Sequence, residues 1–461
     1  MLVRVLKSLS LCALLVSLLA CNGTGPSDGA IQKLGVLRVA IEKNAHVYFT
    51  DNRAMGFELD LIKSYAETLG VELDATYVSS NEEVKALLRE RRVHIGLGMQ
   101  PIIAAQEQYS FGPSIATTSI IVVTHTDAPK ISSTADLESL TTVTNVEDAP
   151  KSFADVSPTV LANLGAATLL NLVDQDAFDA AIITDADFLV LKRKFPYLQK
   201  RLTLREAVPL AWMMAKPTSP GLQRSIGRFI SEKYNAGFLS KRWEFHYDHL
   251  EGFDFVDARK FLRRYQSELP KYRAEFQQAA AEHGFDWRLL AALSYQESHW
   301  DPTAKSPTGV KGLMMLTRNT AKELGVSRLD PTESIHGGTR YLATLQARLE
   351  DEIAAEEQPL MALAAYNVGF GHLRDAQRVA RNMNKDSSEW RIVKAHLPLL
   401  NKEKYAKQTR YGRARGGQAV HYVEGVRRYF SMMRLLEPED WVVAARPSAP
   451  KYNMSSLSVL F

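Results

Sequence analysis

Residues 286–302 read DWRLLAALSYQESHWDP. Asp286 is a capping residue type, Asp301-Pro302 is a stop signal, and the apolar residues between them recur at helical spacing. Leu290, Leu293, Ser294 and Glu297 fall at i, i+3, i+4 and i+7, so they share one helix face. Glu297 therefore emerges from the face that packs inward. It also sits in the last turn, where the helix dipole disfavours negative charge. Partial burial and the dipole both raise a carboxyl pKa. An acid held protonated near neutral pH is what glycosidic cleavage needs as its general acid. The plain alternative is a glutamate at a helix end, held in a salt bridge.

Around this helix the chain keeps one character. From about Phe261 to Leu436 nearly every segment has helical periodicity, punctuated by Gly and Pro. Before it the pattern alternates. GVLRVAIEK (35–43) reads as a buried strand, and FELDLIKSYAETLGV (57–71) as a helix closed by Gly70. ELDATYV reads as a strand, NEEVKALLRERRV as a helix capped by Asn81, and HIGLGM as a strand. SIIVVT, TTVTNV, DAAIITD and LAWMMAK continue the strands. Strands alternating with helices predict an α/β sheet with ligands at the strand ends. After about Gly221 no further strand is expected. The boundary between the two halves falls within 251–269.

The chain has 461 residues with a net charge of +4 and 23% charged residues, a soluble globular composition spread over several domains. A pI near 8.8 suits an acidic polymer or an anionic surface and lacks a nucleic-acid signature. There are two cysteines, Cys12 and Cys21, so neither a disulfide framework nor a thiolate metal site is expected. His283, His299, His336 and His372 lack metal-ligand spacing. No metal and no cofactor is expected.

The first 21 residues carry Arg4 and Lys7, then an apolar run from Leu9 to Ala20, the pattern of a secretory signal. Its end, LLAC, resembles the lipobox of bacterial lipoproteins, which implies lipidation of Cys21. Residues 22–32 then read as a tether. The resemblance implies a lipid-anchored protein on the periplasmic face, and Asn22 after the lipidated position favours the outer membrane.

LRVAIEKN, GFELDLIKSYAETLGVEL, VKALLRERRVHIGLGM, FGPSI and FDAAIITD together resemble family 3 of the extracellular solute-binding proteins. The resemblance spans residues 33–255 and implies a two-lobed α/β domain, like a periplasmic binding protein, with a cleft and a hinge. Members that bind amino acids place an arginine after the Gly-Met strand. Here PIIAAQEQYSFGPS has none, and Gln106 stands near that place. Asp185 matches a position that meets a ligand amino group, or else it serves the next helix as a strand-end carboxylate. The missing arginine points to a binder whose usual ligand is lost or changed, a sensor or substrate-guiding module rather than a transporter feed, with a muropeptide or peptide as the expected ligand.

Behind Glu297-Ser298 come GVKGLMMLTRNTAKELGV (309–326) and ALAAYNVGFGHL (362–373). These motifs, in this order, resemble the transglycosylase SLT domain, over residues 265–436. The resemblance implies a mostly α, lysozyme-like fold of the goose type. It also implies cleavage of peptidoglycan between N-acetylmuramic acid and N-acetylglucosamine, without water, to 1,6-anhydro ends. Glu297 is then the single acid–base. Ser298, Met314, Met315, Tyr366, Asn367 and Tyr422 are implied substrate-binding residues. Ser298 bonds the leaving region or orients Glu297, or is only a polar helix end. Tyr366 is expected within reach of the acid or the N-acetyl group, and Tyr422 either lines the cleft or packs in the core. Met315 departs from the Gln that many members carry. Two other readings stay open: a non-catalytic peptidoglycan-binding regulator, and a lysozyme-like hydrolase, for which Asp301 and Glu323 are the near second carboxylates. Residues 437–461 show no period and are expected to form a flexible tail.

Overall fold

The computed structural model describes residues 28–50, 53–100, 103–146, 157–250, 255–307 and 309–438. The signal segment, the lipobox with Cys21, most of the tether and most of the tail lie outside the described residues.

The first half is built on ten strands: β1 (Val36–Glu42), β2 (Tyr48–Thr50), β3 (Arg53–Met55), β4 (Glu72–Val78), β5 (Ile95–Met99), β6 (Tyr109–His125), β7 (Thr142–Thr144), β8 (Thr159–Val160), β9 (Ala180–Thr184) and β10 (Leu198–Ala215). Eight form one sheet in the order β4-β1-β5-β10-β6-β9-β7-β8, and β2 with β3 makes a separate hairpin. β1 runs parallel to β4 and β5, while β7 runs parallel to β8 and β9. Joining these parallel groups is the antiparallel pair β6 and β10, of 17 and 18 residues. One end of β10 meets β5, through Ala211 and Met213. The other half of β6 meets β9, from Ile120 to Thr124. Two lobes thus share two long strands, whose register shifts repeatedly along the pair. Strands of this length crossing between lobes are the natural place for a hinge.

Helices cover the sheet: α1 (Asp28–Leu34), α2 (Phe57–Leu69), α3 (Asn81–Arg89), α4 (Ile103–Gln106), α5 (Ala166–Asp174), α6 (Asp185–Leu191), α7 (Pro220–Asn235) and α8 (Phe238–Tyr247). Gly70 does close α2, with φ 70° in the left-handed region. The cap of α3 is Ser80, whose side chain accepts from the Glu83 N–H, and Asn81 is the first helical residue. α7 and α8 return to the first lobe, where Leu222, Ile226, Phe229 and Tyr247 join its core.

The second half is helical: α9 (Phe255–Ser267), α10 (Arg273–His283), α11 (Trp287–Ser298), α12 (Arg318–Leu324), α13 (Pro331–Ala347), α14 (Gln358–Val368), α15 (Phe370–Asn382), α16 (Trp390–His396), α17 (Glu403–Ala406) and α18 (Gly416–Leu436). One hydrophobic cluster runs through it from Ala258 to Met433. α11 is buried nearly all round, and α18 and α10 pack beside it. Asp286 caps α11 as expected, accepting from the Arg288 N–H. The helix stops earlier than Asp301-Pro302 suggests, because His299 and Trp300 both take positive φ, 54° and 58°. Trp300 is fully buried, and its indole N–H donates to the Ala291 carbonyl at 2.9 Å.

The two halves dock through polar contacts. Lys241 Nζ donates to Glu389 at 2.8 Å, and the Arg427 guanidinium donates to the Phe245 carbonyl. His249 Nε2 is 2.8 Å from Ser431 Oγ, and the Arg434 guanidinium sits 3.6 Å over the Tyr48 ring. The tail is tied at its start: Glu437 pairs with Arg273 at 2.5 Å, and its carbonyl accepts from Arg288 at 3.0 Å. No helix among the described residues is long and apolar enough to cross a membrane.

Candidate active site

Glu297 stands on the last turn of α11, half-buried. Burial pushes its carboxyl up to about 7, and a hydrogen bond from Tyr422 pulls it back only in part. That phenol, on α18, donates to Glu297 Oε1 at 2.5 Å. Among the described residues no second carboxylate acts on Glu297. Tyr422 is buried, and its own pKa rises well above the ordinary value through burial and the neighbouring acid.

The turn after α11 forms the facing wall. Gly312 has φ 83°, and a Cβ there would lie 1.8 Å from the Arg328 carbonyl oxygen, so only glycine fits. Met315 follows with φ 46°, a left-handed conformation rare for a side chain of this size. The turn is locked from three sides. Ser298 and Ser294 donate to the Leu313 carbonyl at 2.9 and 3.1 Å. The Met314 N–H donates to Ser334 at 3.2 Å. Tyr366 on α14 donates to the Met314 carbonyl at 2.8 Å.

This geometry sorts the expected site residues. Glu297 and Tyr422 are in direct contact. Tyr366 is close enough for the acid to raise its pKa further, after burial, yet its hydroxyl bonds the turn. Ser298 is buried and turned to the backbone of the turn, so its observed bonds neither orient Glu297 nor face a leaving group. Met314 is fully buried and packs on Gly338. Met315 is half-buried and Asn367 exposed. Asp301 binds the Thr303 N–H and hydroxyl at 2.9 and 2.7 Å, bonds that hold its carboxyl below the ordinary range, and Glu323 is exposed on α12.

A cavity lies between the lobes of the first half, lined by Glu42, Glu58 and Asn81 from one side and by Asn145, Thr184 and Asp187 from the other. Burial pushes Glu42 and Glu58 each up to about 8. His46 bridges the site, with Nε2 3.2 Å from Asp187 and Nδ1 3.0 Å from the Tyr247 hydroxyl. The residues expected there make other bonds. Asp185 accepts from the Thr118 hydroxyl at 2.6 Å and the Ser119 N–H at 2.8 Å, which joins α6 to β6. Gln106 is exposed at the end of α4, its carbonyl accepting from Lys216 at 2.5 Å. Asp187, two residues past Asp185, lines the cavity together with Glu42 and Glu58. Sequence spacing gave no signal for it, because Thr184 rather than Asp185 caps α6.

Known proteins match along most of the chain. The family model described as "Transglycosylase SLT domain" matches residues 274–389. Membrane-bound lytic murein transglycosylase F of Aeromonas hydrophila is 37% identical over 439 residues, 93% of this chain and 88% of the relative. The protein of that name from Marinobacter nauticus is 35% identical over 446 residues, covering 94% and 89%. Among solved structures, the amino acid ABC transporter substrate-binding protein AbpA from Streptococcus pneumoniae, bound to L-arginine, is 20% identical with a TM-score of 0.43, covering 48% of this chain and 98% of that one. With the SLT motifs gathered around Glu297 and relatives matched almost end to end, the chain belongs to the membrane-bound lytic murein transglycosylase F family.

Proposed function

We infer that the protein is a lytic transglycosylase. It cleaves the β-1,4 bond between N-acetylmuramic acid and N-acetylglucosamine in peptidoglycan and leaves 1,6-anhydro ends. The observation that carries this reading is Glu297. It is a single half-buried carboxyl, pushed up to about 7 by burial and held by the Tyr422 phenol.

At neutral pH such a group is close to half protonated, so it can serve as acid and then as base. Protonated Glu297 gives its proton to the bridging oxygen as the bond to muramic C1 breaks. The leaving N-acetylglucosamine keeps the bond electrons and gains a hydroxyl. The N-acetyl oxygen of the muramic sugar can shield the electron-poor C1. Glu297, now a carboxylate stabilised by the Tyr422 O–H, takes the proton of the C6 hydroxyl, and O6 bonds to C1. One proton has been given and one taken, and no water is consumed. Intramolecular attack gains from proximity, which removes the need for a second carboxylate to activate water. Digestion of peptidoglycan by the wild type and by Glu297→Gln tests this: anhydro products from the first and none from the second.

The first half serves as the regulator. A peptide or muropeptide ligand closing its two lobes would act on the second half through α18, which carries Tyr422 near one end and Ser431 and Arg434, both docked on the first half, near the other. Lipidation of Cys21 would hold the protein on the periplasmic face of the outer membrane; the name of its relatives, membrane-bound, supports the membrane part of that reading. Equal activity with and without such ligands would count against the regulatory role. Release from membranes by Cys21→Ser tests the anchor.

A further inference from the structure

Residues 402–415 read KEKYAKQTRYGRAR, with six cations and one carboxylate. All six cationic side chains are exposed. The one carboxylate, Glu403, pairs with Lys407 at 2.6 Å. Among the described residues, no acidic side chain pairs with Arg410, Arg413 or Arg415. A run of surface cations is ordinarily only a solvated face, but this one is held in place. Asp375 of α15, 1% exposed, accepts from the Arg410 N–H at 3.0 Å and the Tyr411 N–H at 2.8 Å. Burying a carboxylate is costly unless its hydrogen bonds are made, and here they fix the loop backbone. The exposed Tyr411 ring lies on Gly371, where a Cβ would come within 2.8 Å of it. Arg413 Nε donates to Asn401 at 3.0 Å, and the Ala414 N–H donates to the Leu400 carbonyl at 3.2 Å.

The loop also has an informative position. Its anchor helix α15 begins three residues after Asn367. Its end leads into α18, and Tyr422 stands about 9 Å along that helix from Gly416. The loop thus links the helix that starts just after Asn367 to the helix that carries Tyr422, the phenol bonded to Glu297. Guanidinium groups bind carboxylates through paired hydrogen bonds. Glycan is uncharged along its sugars, apart from what muramic acid carries. The peptides attached to muramic acid supply the carboxylates.

We propose that Arg410, Arg413 and Arg415 form a subsite for the carboxylates of peptides borne on the glycan, so that the enzyme favours peptide-bearing strands over stripped ones. The proposal rests on the transglycosylase reading for its substrate.

The test uses the full chain in detergent and two substrates, intact peptidoglycan and the same material stripped of peptides by an amidase. Binding is measured by sedimentation in the Glu297→Gln background, and turnover in the active enzyme. Replacing the three arginines with alanine should weaken binding and kcat/KM on intact peptidoglycan by roughly three- to thirtyfold, as expected for a few exposed ion pairs. The amidase leaves one free lactyl carboxylate on each muramic residue, so stripped glycan should lose clearly less than intact peptidoglycan; the activity it retains shows that the variant folds, and three lysines in place of the arginines should restore part of the loss. Equal losses on both substrates, or no loss on either, overturn the proposal. So does a variant that keeps its substrate preference but no longer sediments with anionic phospholipid vesicles, which would assign the loop to the membrane. If the wild type yields no anhydro products while the binding difference holds, the reaction assignment fails and the subsite stands.

Discussion

Glu297→Gln should stabilise the protein, and only at the higher end of the pH range. The native carboxyl is pushed up to about 7 from an ordinary 4.5. Below about pH 4.5 both folded and unfolded chains hold the proton, and the site has no effect. Between about 4.5 and 7 the folded chain keeps a proton that the unfolded chain loses, so stability falls as pH rises. Above about 7 the full cost is present. At about 1.4 kcal/mol per pH unit of separation, it comes to about 3 kcal/mol. Glutamine carries no charge at any pH, and its amide oxygen can still accept from Tyr422. The gap between variant and wild type should therefore grow from near zero at pH 4.5 to about 3 kcal/mol at pH 8, roughly 6–12 °C in the melting of a domain of this size. Thermal unfolding followed by near-UV circular dichroism from pH 4.5 to 8.5 measures it. A gap independent of pH, or a variant less stable at pH 8, would refute the reasoning.

Tyr422→Phe removes the hydrogen bond that favours the Glu297 carboxylate, so the alkaline limb of the pH–rate profile should move up by roughly one unit as kcat falls; an unchanged profile would show that the contact is idle. Gly312→Ala sets a Cβ against the Arg328 carbonyl at positive φ and should cost at least about 3 kcal/mol in urea unfolding, with soluble, wild-type-like protein as the contrary result. Glu58 is pushed up to about 8 by burial, so Glu58→Gln should leave stability nearly unchanged at pH 4 and raise it by up to about 5 kcal/mol at pH 9; a loss at pH 9 would mean that the ionised form is the one the fold needs.

Local signals carried much of this architecture. β4 spans Glu72–Val78, the alternating ELDATYV, because alternation and flanking turn residues mark both ends. Glu297 was legible because helical period alone puts it on an inward face. β6 and β10 were read only as SIIVVT and LAWMMAK, yet they run 17 and 18 residues. Gly112-Pro113 looks like a break, but a shift in register absorbs it, and Pro209 stays in the ladder opposite Thr117. Tyr422 was ambiguous, since a phenol on an apolar helix looks the same whether it packs or bonds a group 125 positions away. Ser298 and Met314 lie in the right motifs, but their observed bonds and contacts fix the turn, and motif order cannot separate support from substrate contact. The cavity set of His46, Asp187 and Tyr247 comes from three distant segments that only the fold brings together.

The central claim is that one carboxyl, Glu297, drives cleavage without water. Digestion of purified peptidoglycan in ¹⁸O-enriched water, with mass analysis of the products, tests it most directly. The account predicts 1,6-anhydro muramic ends with no ¹⁸O at C1 from the wild type, and no such ends from Glu297→Gln. Reducing ends carrying one ¹⁸O at C1 would contradict it, because water would then be the nucleophile and a second group would have to activate it.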